Sequence, residues 1–147
     1  MIATIGIATL ITGDIASKTV NATMNILSST LSFMTTNCED LAIKKYKDEI
    51  ESIDIHFKLN IIQEWLNTSS HTNLYEKHKL YESINSLCQE LTHELEKIDT
   101  KIKNHTNKWF RTWRALDLEN EIFVIKKKCL ILNERLILIT CIQSNSK

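Results

Sequence analysis

The stretch DLENEIFVIKKKCLILNERLILITCI, residues 117–142, is the most strongly patterned part of the chain. Its apolar residues recur at alternating spacings of four and three, which keeps them on one side of an α-helix for about six turns. These residues are Leu118, Ile122, Ile125, Cys129, Leu132, Leu136 and Ile139. Val124, Ile131 and Leu138 lie beside this row and widen it. We therefore expect other helices to wrap around a helix this apolar.

Three earlier segments, residues 20–38, 43–65 and 80–102, show the same alternation. The chain of 147 residues contains no proline and two glycines, which is too few for a fold rich in turns. The sequence therefore predicts an all-α fold, an antiparallel bundle of about four long helices in a single domain over residues 1–147. The second helix is expected to begin near a capping pair, Thr36 and Glu39, and to run unbroken to residue 66 with Phe57 and Ile61 on its apolar stripe.

The first 36 residues carry only two charges, on Asp14 and Lys18. Thr9, Gly13 and Ser17 form a row of small uncharged residues, and such a row permits the close approach of another backbone. We expect this N-terminal helix, residues 1–36, to be covered by protein, and we predict that the row binds another subunit or a different protein. Contact with a membrane stays an alternative, but the apolar runs are too short or too polar to span a bilayer.

Residues 108–114, KWFRTWR, hold two of the three tryptophans and two of the three arginines. Such a segment can anchor a protein partner, stack on a nucleic-acid strand, seat at a membrane surface or close one end of the bundle. The balance of 18 basic and 18 acidic residues argues against a surface that binds nucleic acid throughout. The predicted partner-binding residues are Thr9, Gly13, Ser17, Lys108, Trp109, Arg111, Trp113 and Arg114.

The chain contains no motif typical of a catalytic, cofactor or metal site. Glu90 and His93 match one Glu-x-x-His element of di-iron bundles, but the second copy is missing and His93 is expected to point to solvent. Cys38, Cys88, Cys129 and Cys141 have no metal-type spacing, and Cys38 and Cys129 fall on the apolar rows. We predict a non-enzymatic protein without cofactors, with reduced cysteines, in an intracellular reducing compartment rather than a secreted one.

The segment 105–139 combines KWFRTWR with a Glu-Ile pair at 121–122 and ILNERL at 131–136. In these features it resembles small helical proteins of large nucleocytoplasmic DNA viruses, over about a quarter of the chain. The resemblance implies a virion or accessory role and assigns no functional residue. The expected function is a structural or scaffolding subunit that docks to other proteins through the N-terminal helix and the Trp/Arg segment. The alternatives are a peripheral membrane protein and a nucleic-acid-binding bundle that uses residues 103–116.

Overall fold

The computed structural model describes residues 11–68, 74–107 and 115–145. These ranges contain α1 (Gly13–Thr36), α2 (Leu41–Ile53), α3 (Ile55–Thr68), α4 (Leu74–Thr106) and α5 (Glu119–Asn145). No β-strand occurs in the described ranges. The predicted all-α bundle is confirmed, and its four long helices correspond to α1, to α2 together with α3, to α4 and to α5.

The second predicted helix is interrupted at Asp54. This residue has φ 61° and ψ 44°, a left-handed conformation that ends α2 before α3 begins. After the interruption a different side of the chain is buried, formed by Ile55, Leu59, Ile62, Trp65 and Leu66. Phe57 and Ile61 are instead 60% and 36% exposed, so their predicted place on the buried stripe is wrong. Heptad spacing cannot be counted across a residue that leaves the helical conformation.

Helix α1 packs against three other helices, α2, α3 and α4. Its buried residues recur at spacings of four and three, and they are Ala16, Val20, Thr23, Leu27, Thr30 and Met34. The other side of α1 is exposed, and it carries uncharged residues such as Asn21, Asn25, Ser28, Ser29 and Ser32. Packing within the chain therefore does not account for the scarcity of charge in α1. No described helix is long and apolar enough to cross a membrane.

The directions of the helices follow from their side-chain contacts. Thr19 of α1 contacts Asn85 of α4, and Thr23 contacts Thr92, so the residue numbers rise together and the two helices run parallel. The contacts between α4 and α5 pair Ser83 with Arg135, Glu90 with Lys128, and Lys101 with Glu121. In that pair one number falls as the other rises, so α4 and α5 are antiparallel. The predicted antiparallel packing is seen for α4 with α5, and the first and third long helices, α1 and α4, run in the same direction, as alternating helix directions require.

Two details at the start of the second helix differ from the sequence prediction. The N-cap of α2 is Asp40, whose Oδ1 accepts hydrogen bonds from the backbone N–H groups of Ala42 and Ile43, rather than the predicted pair Thr36 and Glu39. Cys38 is exposed, because α1 ends at Thr36 and no longer carries the apolar row at that point. Cys129, in contrast, is buried on α5 as predicted.

Candidate functional site

Helix α5 is buried along one side and solvent-exposed along the other. The predicted row is buried at Leu118, Ile122, Ile125, Cys129, Leu132 and Ile139, and partly buried at Leu136. On the opposite side Phe123, Leu130 and Ile137 are 56%, 65% and 63% exposed, and Leu138 at the edge is 47% exposed. We call these four residues the α5 outer face. The prediction that other helices wrap around α5 is wrong for this side, which no described helix covers.

The spacing of the residues in the α5 outer face explains why they lie along one line of the helix. Phe123, Leu130 and Ile137 are seven residues apart, which is close to two helical turns, so they align in one stripe along α5. The exposed side of a helix in a globular protein normally carries charged and polar residues at such positions. The outer stripe has one large apolar residue every second turn, with Lys126, Lys127, Asn133 and Glu134 between them, and this row makes the face a candidate site of interaction.

Charged residues flank the stripe in an ordered way. Lys126 and Lys127 lie before Leu130, and Glu134 lies after it, so the stripe is basic toward its N-terminal end and acidic toward its C-terminal end. The Nζ atom of Lys127 lies 4.7 Å from the centroid of the Phe123 ring. This cation–π contact partly shields the ring while the face is unoccupied.

A cavity of about 490 Å³ lies at the end of the bundle where α4 ends and α5 begins, and it is lined in part by His105, Lys101 and Asp117. The Nε2 atom of His105 donates to Asp40 Oδ2 at 2.7 Å. Lys101 pairs with Glu121 and also donates to the carbonyl oxygen of Asp117. The Asp117 carboxylate accepts the backbone N–H of the second residue after it. Since each titratable group of the described lining is engaged within the chain, we assign this cavity a structural role.

The carboxylate of Asp40 ties the start of α2 to the end of α4. Burial alone raises its pKa, but the hydrogen bond from His105 and those from the N–H groups of Ile43 and Ala42 outweigh this effect. The pKa of Asp40 is therefore lower than that of an ordinary aspartate. A carboxylate held ionised in this way stabilises the junction between the two helices.

The cysteines divide into two kinds. Burial raises the pKa of the Cys88 thiol to about 12 and that of Cys129 to about 11, so both remain protonated at neutral pH. Cys38 and Cys141 are exposed, and all four are free thiols.

His93 is exposed, as predicted. In the described ranges no three histidine, cysteine or acidic residues are grouped so that they could hold a metal ion.

The predicted partner-binding residues fall into two groups. Thr9, Lys108, Trp109, Arg111, Trp113 and Arg114 lie outside the described residues. Gly13 faces α4, where a Cβ atom at this position would lie 3.4 Å from the ring of Tyr81. Ser17 Oγ accepts a hydrogen bond from Gln63 Nε2 of α3 at 2.7 Å. Both described positions thus contact other helices of the same chain, and partner binding through this row stays a prediction.

Sequence reasoning missed the α5 outer face although its signal lay within residues 117–142. The residues at 123, 130 and 137 show a seven-residue repeat of their own, offset from the inner row. A helix with apolar residues on both sides can be enclosed by its own chain or can expose one side, and periodicity does not distinguish the two. The number of helices available to cover it decides the outcome.

The chain is similar in sequence to a viral protein. The chain is 30% identical to an uncharacterised protein of Acanthamoeba polyphaga mimivirus, in a match that covers 58% of this chain and 56% of that protein. The chain thus spans little more than half the length of this relative. No family model matches the chain, and no solved structure does. The similarity is consistent with the predicted link to large DNA viruses, and the relative carries no functional description.

Proposed function

We propose that this protein is a non-enzymatic subunit of a protein assembly, and that it docks to its protein partner through the α5 outer face. The observation that carries the proposal is the exposed stripe of Phe123, Leu130 and Ile137. Large apolar side chains at the surface cost solvation free energy unless a partner covers them, and partner surfaces prefer this composition. The mimivirus similarity supports an assembly made during infection by a large DNA virus, with the virion as one candidate location.

Photo-crosslinking in cells that produce the protein tests the proposal. A photoreactive phenylalanine analogue replaces Phe123 in one variant and Phe57 in a matched control. The two rings are 56% and 60% exposed, but only Phe123 belongs to a stripe of three apolar residues. We expect covalent adducts with protein from position 123 and several-fold fewer from position 57.

Three results would overturn the proposal. Equal yields at positions 123 and 57 would mean that any exposed ring gives the adduct. Adducts with lipid alone would favour the peripheral membrane protein, and adducts with nucleic acid alone would favour the nucleic-acid-binding bundle. Adducts with protein support docking whether the partner is a second copy of the chain or a different protein.

A further inference from the structure

We infer that the occupant of the α5 outer face is a second copy of this chain, with its α5 antiparallel to the first and a two-fold axis at Leu130. This inference rests on the proposed function and names the partner. A face that pairs with itself must be self-complementary in shape and in charge, because a two-fold axis places the same surface on both sides. The α5 outer face meets both conditions in the antiparallel orientation.

The apolar side chains of the two copies are complementary in the antiparallel orientation. Phe123 and Ile137 each lie seven residues from Leu130, on opposite sides of it. In the antiparallel pair Leu130 therefore packs against its own copy at the axis. Phe123 of each chain then packs against Ile137 of the partner subunit. The large ring at one end meets the smaller aliphatic side chain at the other, so three apolar layers form along the stripe.

The charged side chains beside the stripe are also complementary in the antiparallel pair. Lys127 lies three residues before Leu130 and Glu134 four residues after it. At about 100° per residue, both lie on the same flank of the stripe, within about 20° of each other. A two-fold axis perpendicular to the plane of the two helices keeps that flank on one side of the dimer. Lys127 of each chain then lies next to Glu134 of the partner subunit, which gives two symmetric ion pairs.

A parallel pair has the opposite electrostatics. Its two-fold axis runs along the helices and places equivalent flanks on opposite sides, so Lys127 would lie beside Lys126 of the partner subunit and Glu134 beside Asn133 of the partner subunit. Like charges side by side oppose association, so the charge order along α5 selects the antiparallel orientation. Both flanking residues are exposed and in the described part of the chain neither forms an ion pair, so both are available to a partner.

Sedimentation equilibrium of the purified full-length chain tests the inference. We expect a reversible dimer whose dissociation constant rises at least about 100-fold in Leu130→Lys, because the substitution places two like charges at the axis. Leu41→Lys is the matched control, since Leu41 is 81% exposed on α2 and lies off the face. The control should dimerise like the parent. A parent chain that stays monomeric, or a control that loses the dimer equally, overturns the inference.

Charge exchange tests the orientation. Lys127→Glu and Glu134→Lys should each raise the dissociation constant by about 10-fold, because each converts two attractive pairs into repulsive ones. The double variant carrying both substitutions should regain the affinity of the parent, because the pairs re-form with reversed sign. Additive loss in the double variant would overturn the antiparallel pairing.

Disulfide formation locates the axis. In a background with Cys38→Ser and Cys141→Ser, Leu130→Cys should form a disulfide-linked dimer on mild oxidation, because the two positions meet at the axis. Ile137→Cys is the control and should not, since the two copies of residue 137 lie about 21 Å apart along the helices. Linkage at position 137 as strong as at 130 would contradict the geometry.

The two proposals fail separately. A monomeric parent whose position 123 crosslinks to a different protein overturns the second-copy inference and leaves the docking function standing. A monomeric parent with no protein adduct at position 123 overturns both.

Discussion

Thr23 and Thr30 occupy equivalent places on α1 and differ in their hydrogen bonds. Both are buried, with 0% and 1% exposure. Thr23 Oγ1 lies 3.1 Å from the carbonyl oxygen of Cys88 and 2.8 Å from Thr92 Oγ1, so it joins α1 to α4. Thr30 Oγ1 is buried and has no hydrogen-bond partner among the described residues. One hydroxyl therefore stabilises the helix pair, and the other is desolvated without compensation.

Replacing each threonine with valine should separate the two cases. Valine has the same shape and lacks the hydroxyl, and an unpaired buried polar group costs about 1–3 kcal/mol. We expect Thr30→Val to raise the free energy of unfolding by about 1 kcal/mol and Thr23→Val to lower it by about 1–2 kcal/mol. Urea denaturation measures both. Changes of the same sign in the two variants would refute the assignment of the hydrogen bonds.

The lowered pKa of Asp40 predicts how the stability of the protein changes at acidic pH. Its pKa is lowered in the folded chain, so the ionised carboxylate stabilises the fold above the unfolded pKa of about 3.9. That stability is lost as the pH falls through the folded pKa. Asp40→Asn keeps an N-cap residue of similar quality but removes the charge. We expect the parent to be more stable than the variant at pH 7 and the difference to shrink below about pH 4. A difference that is constant down to pH 2 would contradict the role of the charge.

At the scale of the helical element, Asp54 determines where α2 ends. A left-handed conformation costs most non-glycine residues about 1–2 kcal/mol, and aspartate tolerates it better than alanine does. Asp54→Ala should therefore lower the free energy of unfolding by about 1 kcal/mol. The free energy of unfolding of Asp54→Gly should equal or exceed that of the parent. Asp48→Gly is the control, because it lies within α2, where glycine is less favourable than aspartate by about 0.3 kcal/mol. Thermal denaturation of the three variants would show the opposite signs for the two glycine substitutions.

Leu130 and Leu132 are two positions apart but lie on different sides of α5, so we expect their substitution to change the stability by different amounts. Leu132 is fully buried and Leu130 is 65% exposed. Leu132→Ala should cost about 2–5 kcal/mol, because the substitution leaves a cavity in the core. Leu130→Ala should change the stability by less than about 0.5 kcal/mol in solutions dilute enough to leave the outer face uncovered. Equal losses in the two variants would mean that both sides of α5 are packed.

At the scale of the whole molecule, the cysteines report global unfolding. Cys38 and Cys141 are exposed, whereas the pKa of Cys88 and that of Cys129 are raised by burial. An alkylating reagent at pH 7 should label two thiols in the folded protein and four in denaturant, as counted by mass spectrometry. The reaction of the last two thiols should slow as stabilising substitutions such as Thr30→Val are introduced. Rapid labelling of a third thiol in the folded protein would contradict the burial of that site.

The packing of the whole bundle determines which side of each helix is buried. Helix α1 packs against α2, α3 and α4, whereas its exposed side, which includes Asn21, Asn25 and Ser29, is polar and almost uncharged. Among the described residues, α5 has helical neighbours on one side only, and its other side exposes Phe123, Leu130 and Ile137. Helix α5 thus carries more exposed large apolar residues than any other helix in the part of the chain that the structure describes.

Local periodicity in the sequence determined the helical class, the long helices and most of the buried residues. A row at spacings of four and three must face a partner, and this identified Leu118, Ile125 and Leu132 without a structure. It could not reveal the left-handed turn at Asp54, since a single residue with unusual φ leaves little trace in apolar spacing. The direct contact between α1 and α4, the first and third long helices, also came only from the tertiary structure.

The candidate site was decided by the tertiary structure alone. The sequence placed apolar residues at 123, 130 and 137, but the same spacing suits a buried helix and an exposed one. Which side of α5 is covered depends on how many other helices reach it, and that is a property of the whole packing. Burial is set by distant parts of the chain, so local spacing predicts that a side is apolar, and only the assembled fold shows whether it is covered.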